Sequence, residues 1–313
     1  MHDQDLATRP ASICAVVLTF NRRALVTQCL TALSSQTRPL DEVIVVDNAG
    51  TDGTEAAIRT EFHHVTYVRL PENMGSAGGF YEGMKLAYEK GHDWMWVMDD
   101  DVMPMADALE RLVGSPAMLR DNVYALSSIT LHPDGSLYLL NCWLVDFRTM
   151  KERPVDASKY VDDYFEMDAG PWSGLLVSRR AVKDVGLPLK DLFIFHDDYE
   201  YTVRMRRKGT LLTVPASRVV HFSVPSYTGK PVLGMQPSNW KNYYYARNYI
   251  YTRRKYGRPG LYFYFIVLRG LVYGVAQTLL FREYRFQSFR IRLCGTLDGL
   301  RAKLGENTHF LPR

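Results

Sequence analysis

Three consecutive aspartates, Asp99, Asp100 and Asp101, follow the apolar run WMWVM at residues 94–98. If that run is buried, the carboxylates reach the edge of the core together. Each adjacent pair then repels by roughly 3 kcal/mol at an effective dielectric near 20. Carboxylates at alternate positions suit Mg²⁺ or Mn²⁺, which commonly bridge protein carboxylates and substrate phosphates. A solvated acidic turn is the alternative, whereas an EF-hand is excluded because its glycine and distal glutamate are missing.

Three further segments carry candidate site residues. Asp197 and Asp198 form a second carboxylate pair in HDDYEY, where a helix N-terminus would also favour acids. The glycines of NMGSAGGF (73–80) precede a helix and could let a diphosphate approach the backbone, although the pattern is not GxGxxG. His221 ends the apolar run LLTVPASRVVH and is either structural or a ligand.

Four apolar runs predict strands, and the segments between them predict helices. The runs are ICAVVLTF (13–20), EVIVVDN (42–48), VTYVRL (65–70) and WMWVMD (94–99). Strands that are apolar throughout and alternate with helices indicate a mostly parallel α/β sheet covered on both faces. In such sheets ligands bind beyond the carboxyl ends of the strands. The polar residues at those ends are Thr19, Asn21, Asp47, Asn48, Asn73 and the aspartate triplet.

Charge is distributed unevenly along the 313 residues, whose formal net charge is +4. Residues 240–313 contain 14 Lys or Arg and 3 Asp or Glu, a net +11, so residues 1–239 carry −7. A basic tail on an acidic body indicates two surfaces with different partners. The polar N-terminus shows no secretory signal, and four scattered cysteines without a CxxC pair favour reduced thiols in the cytoplasm.

The tail contains LYFYFIVLRGLVYGVAQTLLF (261–281), which is apolar except for Arg269 and Gln277. This length could span a bilayer, but an arginine near the centre costs about 2.5–3.5 kcal/mol on insertion scales. We therefore expect helices that lie in the membrane interface. Packing on the body, a homo-oligomer interface and a spanning helix are the alternatives. The predicted domains are a body (1–235) and a C-terminal helical membrane-associating region (236–313).

Six segments occur in a specific order: VVLTFNR, VIVVDNAGTDGT, NMGSAGGF, VMDDD, WSGLLVSRRAV and FIFHDDYEYTVRMRRKG. Together they resemble the family-2 inverting glycosyltransferases with the GT-A fold over about residues 12–225. Within that family the segments are most similar to galactofuranosyltransferases, followed by rhamnosyltransferases of polysaccharide assembly. The resemblance makes residues 1–235 the catalytic domain, in which about 12–110 would bind the sugar nucleotide and about 111–235 the acceptor. NYYYARNYIY also resembles the segment that these enzymes carry after the catalytic body.

The resemblance implies roles for individual residues. Asp198 is the implied catalytic base, with Asp197 beside it as the alternative. Asp99, Asp101 and His221 would hold Mn²⁺ or Mg²⁺, and Asp100 is the member of the triplet least expected to contact metal or nucleotide. Trp172 and His196 would lie near the acceptor. The implied nucleotide-binding residues are Thr19, Asn21, Asp47, Asn73, Gly75, Gly78 and Asp99.

The implied activity is metal-dependent, inverting sugar transfer, with galactofuranose from UDP-galactofuranose favoured. The expected acceptor is a polyprenyl-diphosphate-linked glycan of bacterial cell-wall or surface polysaccharide synthesis, at the cytoplasmic face of an anionic membrane. The alternatives are a rhamnosyltransferase using dTDP-rhamnose, a UDP-hexopyranose transferase and a catalytically silent nucleotide-binding protein. A nucleic-acid partner is not expected, because the body is acidic and no RNA-binding signature is present.

Overall fold

The computed structural model describes residues 11–222, 240–280 and 285–311. The predicted boundary at 235/236, the first ten residues and Phe281 lie outside these ranges. The strands are β1 (Ile13–Thr19), β2 (Glu42–Asp47), β3 (Thr66–Arg69), β4 (Trp94–Asp99), β5 (Val102–Pro104), β6 (Val123–Leu131), β7 (Trp143–Asp146), β8 (Lys151–Pro154), β9 (Phe165–Met167), β10 (Ser173–Ser178) and β11 (Thr210–His221). The α-helices are α1 (Arg23–Ser34), α2 (Thr54–Glu61), α3 (Gly75–Glu89), α4 (Ala108–Val113), α5 (Arg179–Val185), α6 (Asp197–Arg206), α7 (Lys241–Tyr256), α8 (Leu261–Leu280) and α9 (Arg285–Leu300).

The central sheet has the strand order β3-β2-β1-β4-β10-β6-β11-β5, and β9 pairs with β11. Strand β1 is parallel to both β2 and β4, and β2 is parallel to β3. Strand β10 is antiparallel to both β4 and β6, while β11 is parallel to β6. The predicted α/β sheet is therefore confirmed, with all four predicted strands in place and an antiparallel insertion after β4.

Helices cover both faces of this sheet. On one face Val16 of β1 packs in the same core cluster as Phe80 and Met84 of α3. On the other face Val17 packs in a cluster with Leu30 of α1. Every residue of β1 is buried, because successive side chains enter opposite cores. That double burial explains why the strand is apolar throughout instead of alternating.

Helices α7 and α9 pack against the body, and α8 packs against α7 and α9. Tyr243, Tyr244 and Phe310 form a small core with Phe193 of the body. Arg247 of α7 is fully buried, and its guanidinium donates hydrogen bonds to backbone carbonyls of the body and of the chain after α9. Arg247, whose charge was counted in the basic surface predicted for the tail, therefore attaches the tail to the body.

Helix α8 has a buried and an exposed face that are both apolar. Phe263 and Ile266 are buried, while the exposed residues recur every three or four positions and so share one face. None of the helices in the described part of the chain combines the length and hydropathy needed to cross a bilayer. The exposed apolar face of α8 comprises Leu261, Tyr264, Phe265, Leu268, Val272 and Val275.

Candidate active site

The parallel strands deliver their polar C-terminal residues to one edge of the sheet. Thr19 at the end of β1 is in register with Asp47 at the end of β2, and Leu18 is in register with Asp99 of β4. A cavity of about 410 Å³ lies at this edge. Of the predicted donor-binding residues, Thr19, Asn73, Gly75 and Asp99 line it, together with Asn48, Ser76 and Phe193.

A second pairing brings a histidine to the aspartate triplet. The short strand β5, directly after the triplet, pairs antiparallel with the end of β11, so that Val102 faces His221. Candidate ligand atoms of Asp99, Asp101 and His221 consequently lie within 4.8 Å of one another. Oδ1 of Asp101 lies 3.7 Å from Nδ1 of His221 and, although buried, accepts no hydrogen bond from the described residues. Two carboxylates and an imidazole form a donor set that fits a divalent transition-metal ion such as Mn²⁺.

Arg22 offsets part of the repulsion within the triplet. Its Nη1 atom lies 3.2 Å from Oδ1 of Asp100 and 2.8 Å from Oδ2 of Asp101. Burial raises the pKa of Asp100 to about 6, against the lowering effect of Arg22 and of a 2.7 Å hydrogen bond from Thr19 Oγ1. Asp100 also lines the cavity, but it is not among the three clustered candidate ligands.

Asp99 has no comparable neutralising partner among its described neighbours. Burial raises its pKa well above the usual range, and the nearby charges of Asp101, Asp100, Asp197 and Asp198 raise it further. The strand-end triplet and the second acidic pair therefore belong to one electrostatic site. Such a concentration of buried carboxylates favours binding of a cation.

The two acids at the start of α6 have different surroundings. The indole Nε1 of Trp172 donates a 2.9 Å hydrogen bond to Oδ2 of Asp197, and Asp197 is 3% exposed. Asp198 is half-buried, and its Oδ1 accepts a hydrogen bond from the backbone of Tyr199. Burial, followed by the charge of Asp197, raises the pKa of Asp198 to about 7. Of the pair, Asp198 is thus the one suited to exchange a proton near neutral pH.

The loop before α6 has a strained backbone that the tail holds in place. Phe193, Phe195 and His196 have φ values of 62°, 66° and 60°, in the left-handed region that non-glycine residues rarely adopt. Nδ2 of Asn248 in α7 donates to the carbonyls of Leu192, Ile194 and Phe195, at 2.8–3.0 Å. The tail therefore positions the loop that presents Asp197 and Asp198.

Gly75 meets this same loop from the other side. Its φ is +70°, and a Cβ there would collide with the backbone carbonyl of Phe193. A Cβ at Gly78 would overlap the side chain of Met74, and Gly78 does not line the cavity. Close packing therefore explains why both positions are occupied by glycine. The sequence pattern had instead predicted that these glycines let a diphosphate approach the backbone.

The other predicted residues have the following surroundings. Asp47 accepts hydrogen bonds from Gly50 N and from the hydroxyl of Tyr67, and Asn21 Oδ1 accepts one from Thr51 N. Neither residue lines the cavity; both brace the loops beside it. Trp172 is buried and contacts Asp197, while His196 packs against tyrosine rings of the tail.

Several residues of this site were not predicted from the sequence. Arg22 follows the first strand within TFNR, a position whose proximity to the triplet depends on the β1–β4 pairing. Trp240 and Lys241 of the tail line the same cavity as Asp99. Asn248 lies in the tyrosine-rich helix, which was interpreted as a membrane-facing segment. No local pattern distinguishes these residues, because their contacts join segments that are far apart in sequence.

Solved structures with a similar fold define the class of the protein. The crystal structure of GalNAc-T7 with UDP, GalNAc and Mn2+ matches with a TM-score of 0.59 and 13% identity, covering 94% of this chain and 56% of that one. The chain thus spans just over half the length of that protein. The crystal structure of S. aureus TarS 1-349 matches with a TM-score of 0.57 and 13% identity, covering 93% and 82%. At these identities the likeness establishes the fold alone, which is the GT-A-like α/β fold.

Sequence relatives define the family. The profile of glycosyl transferase family 2 matches residues 14–138. Galactofuranosyltransferase GlfT1 of Mycolicibacterium smegmatis is 30% identical over 265 residues, covering 81% of this chain and 86% of the relative. GlfT1 of Mycobacterium tuberculosis H37Rv is 28% identical over 261 residues, covering 80% and 84%. The dTDP-rhamnosyl transferase RfbF of Shigella flexneri is 24% identical over 306 residues, covering 94% and 97%. The chain belongs to glycosyl transferase family 2.

Proposed function

We propose that this protein is a metal-dependent, inverting glycosyltransferase that transfers galactofuranose from UDP-galactofuranose to a polyprenyl-diphosphate-linked glycan. One observation carries the proposal. The cluster of Asp99, Asp101 and His221 shares an electrostatic site with Asp198, an acid whose pKa lies near neutrality. A cation site beside a general base is the combination that displacement of a nucleoside diphosphate requires. The relatives named GlfT1 support galactofuranose as the sugar.

Asp99, Asp101 and His221 would hold the divalent ion, for which the donor set favours Mn²⁺. When bound, such an ion neutralises the charge that develops on the departing diphosphate. Thr19 and Arg22 both donate hydrogen bonds to the carboxylate of Asp100. Their contacts fix the orientation of the triplet and disperse part of its charge. Asn73 and Gly75 form the cavity wall against which the nucleotide would lie.

Asp198 would accept the proton of the acceptor hydroxyl as that oxygen attacks the anomeric carbon. Attack from the face opposite the leaving diphosphate inverts the configuration in a single displacement. A base whose pKa is close to the working pH combines a useful ionised fraction with sufficient basicity. Asp197, held by Trp172, would orient the start of α6 and keep its neighbour's pKa high.

The tail would place this site at the cytoplasmic face of a membrane. This proposed location is supported by the exposed apolar face of α8. The face lies in a segment with an excess of Lys and Arg, and the combination is typical of interfacial helices. Flotation of the full-length protein with vesicles tests this. We expect anionic vesicles to recover more protein than neutral ones, and Leu268→Glu to reduce recovery. Leu119→Glu is the control, since Leu119 is 88% exposed on the body. Equal recovery of wild type and Leu268→Glu would contradict the membrane role of α8.

A donor panel tests the proposed activity. UDP-galactofuranose, UDP-galactopyranose, UDP-glucose and dTDP-rhamnose are compared for transfer to a short polyprenyl-diphosphate-linked acceptor, with Mn²⁺ or with EDTA. We expect Mn²⁺-dependent transfer from UDP-galactofuranose and a product of inverted anomeric configuration by NMR. RfbF aligns with 94% of this chain, so rhamnosyl transfer is the second candidate. Preference for dTDP-rhamnose would replace the sugar in the proposal, and a retained configuration would overturn the mechanism.

A further inference from the structure

A second cavity lies within the tail and is not part of the donor site. Its volume is about 590 Å³, a size typical of ligand-binding pockets. It lies between α7, α8 and α9, and its walls are mainly apolar. The residues on which the argument depends are Tyr245, Tyr249, Ile266, Val267, Arg269 and Arg292.

One wall of this tail cavity adjoins the proposed catalytic loop. The ring of His196 lies 5.0 Å from the ring of Tyr245 and 5.6 Å from that of Tyr249, centroid to centroid. His196 directly precedes the Asp197–Asp198 pair at the start of α6. The tyrosine wall of the cavity therefore packs directly against the residue that precedes the acidic pair.

His196 has unused hydrogen-bonding capacity at this wall. Both ring nitrogens are shielded from solvent, and neither has a hydrogen-bond partner among the described residues. Burial, with a smaller effect of the Arg253 charge, lowers the pKa of His196 to about 3. The ring is therefore neutral, with one donor and one acceptor. Buried polar atoms without partners are uncommon, and these two lie behind the tyrosines, since His196 is not among the residues that line the cavity.

The charge of the tail cavity suits an anion. Arg269 on α8 and Arg292 on α9 contribute to its lining, and no acidic residue is among the described lining residues. Arg253 behind the wall is already paired with Glu152, so the charge available to a ligand is that of Arg269 and Arg292. Arginine binds phosphate oxygens in a fork geometry, which gives orientation as well as affinity.

The position of α8 connects the cavity to an apolar environment. Ile266 and Val267 on one face of the helix line the cavity, while Leu268 and Val272 on another face are exposed. A ligand with a charged group beside the arginines and a hydrocarbon chain along α8 would match both surfaces. A free sugar or a soluble phosphate would use only part of this arrangement.

We propose that the tail cavity binds the isoprenoid diphosphate end of the acceptor, with Arg269 and Arg292 on the diphosphate and the hydrocarbon chain along α8. The inference rests on the proposed transfer to a lipid-linked acceptor, and it assigns that acceptor a site on this chain. It also gives the tail a direct role in substrate binding, in addition to its packing on the body.

The test measures binding of farnesyl diphosphate to the full-length protein by calorimetry. EDTA is present so that no metal ion in the donor site can bind the probe. Farnesol and inorganic diphosphate are the two comparison ligands, each carrying one half of the chemistry. We expect farnesyl diphosphate to bind at least tenfold more tightly than either. Inorganic diphosphate binding as tightly as farnesyl diphosphate would overturn the lipid assignment.

Three variants test whether farnesyl diphosphate binds in the tail cavity. Arg269→Ala changes an exposed side chain and should weaken farnesyl diphosphate binding at least tenfold, with partial recovery in Arg269→Lys. Arg290→Ala is the matched control, because Arg290 is an exposed arginine of α9 that does not line the cavity. Wild-type affinity in Arg269→Ala, or an equal loss in Arg290→Ala, would overturn the proposal.

A separate measurement distinguishes this inference from the proposed function. UDP-sugar hydrolysis in the presence of Mn²⁺ reports the donor site without an acceptor, and Arg269→Ala should leave it unchanged. Loss of farnesyl diphosphate binding in Arg269→Ala would support the cavity even if wild type hydrolysed no donor. Donor hydrolysis with unaltered lipid binding in Arg269→Ala would instead retain the glycosyltransferase and reject the cavity.

Discussion

The body and the tail use charge in opposite ways. In the body, Asp99, Asp101 and Asp197 are carboxylates gathered at one edge of the sheet, where burial raises the pKa of Asp99 and Asp197. In the tail, cations are paired individually with groups of the body: Arg247 with carbonyls and Arg253 with Glu152. Concentrated like charge creates a site that attracts a cation, whereas dispersed and paired charge attaches one region to another.

The two regions also differ in backbone strain. The strained residues Phe193, Phe195 and His196 belong to the body, but the side chain that satisfies the carbonyls around them is Asn248 of the tail. Strained conformations persist only where the surroundings over-determine them. The conformation of the loop before α6 therefore depends on the tail, although the body and the tail were predicted as separate regions.

The largest expected effect is on turnover, from Asp198→Asn. Removal of a general base costs about 10²–10⁴ in rate, while UDP binding should remain at the wild-type level. Asp197→Asn is the matched variant: it weakens the contact with Trp172 and should lower the thermal midpoint more than Asp198→Asn does. Steady-state kinetics and thermal unfolding check both. Wild-type kcat in Asp198→Asn would remove that residue from the mechanism.

The next effect is on the attachment of the tail. Arg247→Met leaves buried carbonyls of the body without their donor, and each buried acceptor left unsatisfied costs about 1–3 kcal/mol. We expect a marked fall in the free energy of unfolding by urea denaturation. Arg301→Ala, at an exposed position after α9, should change it by less than about 0.5 kcal/mol. Equal stability of the two variants would mean that the tail is not held through Arg247.

Binding of the cation should show a smaller but specific effect. Asp101→Ala and His221→Ala should each remove the Mn²⁺-dependent part of UDP affinity, a loss of at least about 1.4 kcal/mol, or tenfold. Calorimetry with and without Mn²⁺ measures this difference. Asp107→Asn, at a surface acid that pairs with Arg111, should retain the full Mn²⁺ effect. Retention of the effect in His221→Ala would leave that histidine with a structural role only.

The last prediction concerns the pH dependence of the wild-type activity, which needs no substitution. The pKa of Asp198 is raised to about 7, and only its ionised form accepts a proton. Activity should therefore be lost as pH falls below 7, roughly tenfold per pH unit as the ionised fraction declines. The residual kcat/KM of Asp198→Asn should lack this acidic limb. A wild-type profile that stays flat down to pH 5 would contradict the raised pKa.

Much of the donor half of the site was predictable from local patterns. The strands ending at Thr19, Asp47 and Asp99 lie where their apolar runs predict, because residues buried on both faces of a sheet must be apolar throughout. The helix after Asp197 was also predictable, with its pair of Glu200 and Arg204. The position of the aspartate triplet directly after a strand predicted the edge of the sheet at which a ligand would bind.

The contributions of distant segments were not predictable. The proximity of His221 to Asp101 depends on the pairing of β5 with β11, and the contact of Arg22 with Asp100 depends on the placement of β4 beside β1. Membrane association was the favoured prediction for the tail, with packing on the body as an alternative, because its composition does not distinguish an arginine that binds buried carbonyls from one that faces lipid.

The sequence by itself determined the alternating α/β order, the edge of the sheet at which polar residues collect, and the excess of positive charge in the tail. These features follow from burial and periodicity, which are properties of neighbouring residues. Only the tertiary structure decided which carboxylates meet the histidine, which acid keeps a pKa near neutrality, and that α7 supports the loop before α6. Those outcomes depend on distances between residues far apart in the chain, and on the burial that their packing creates.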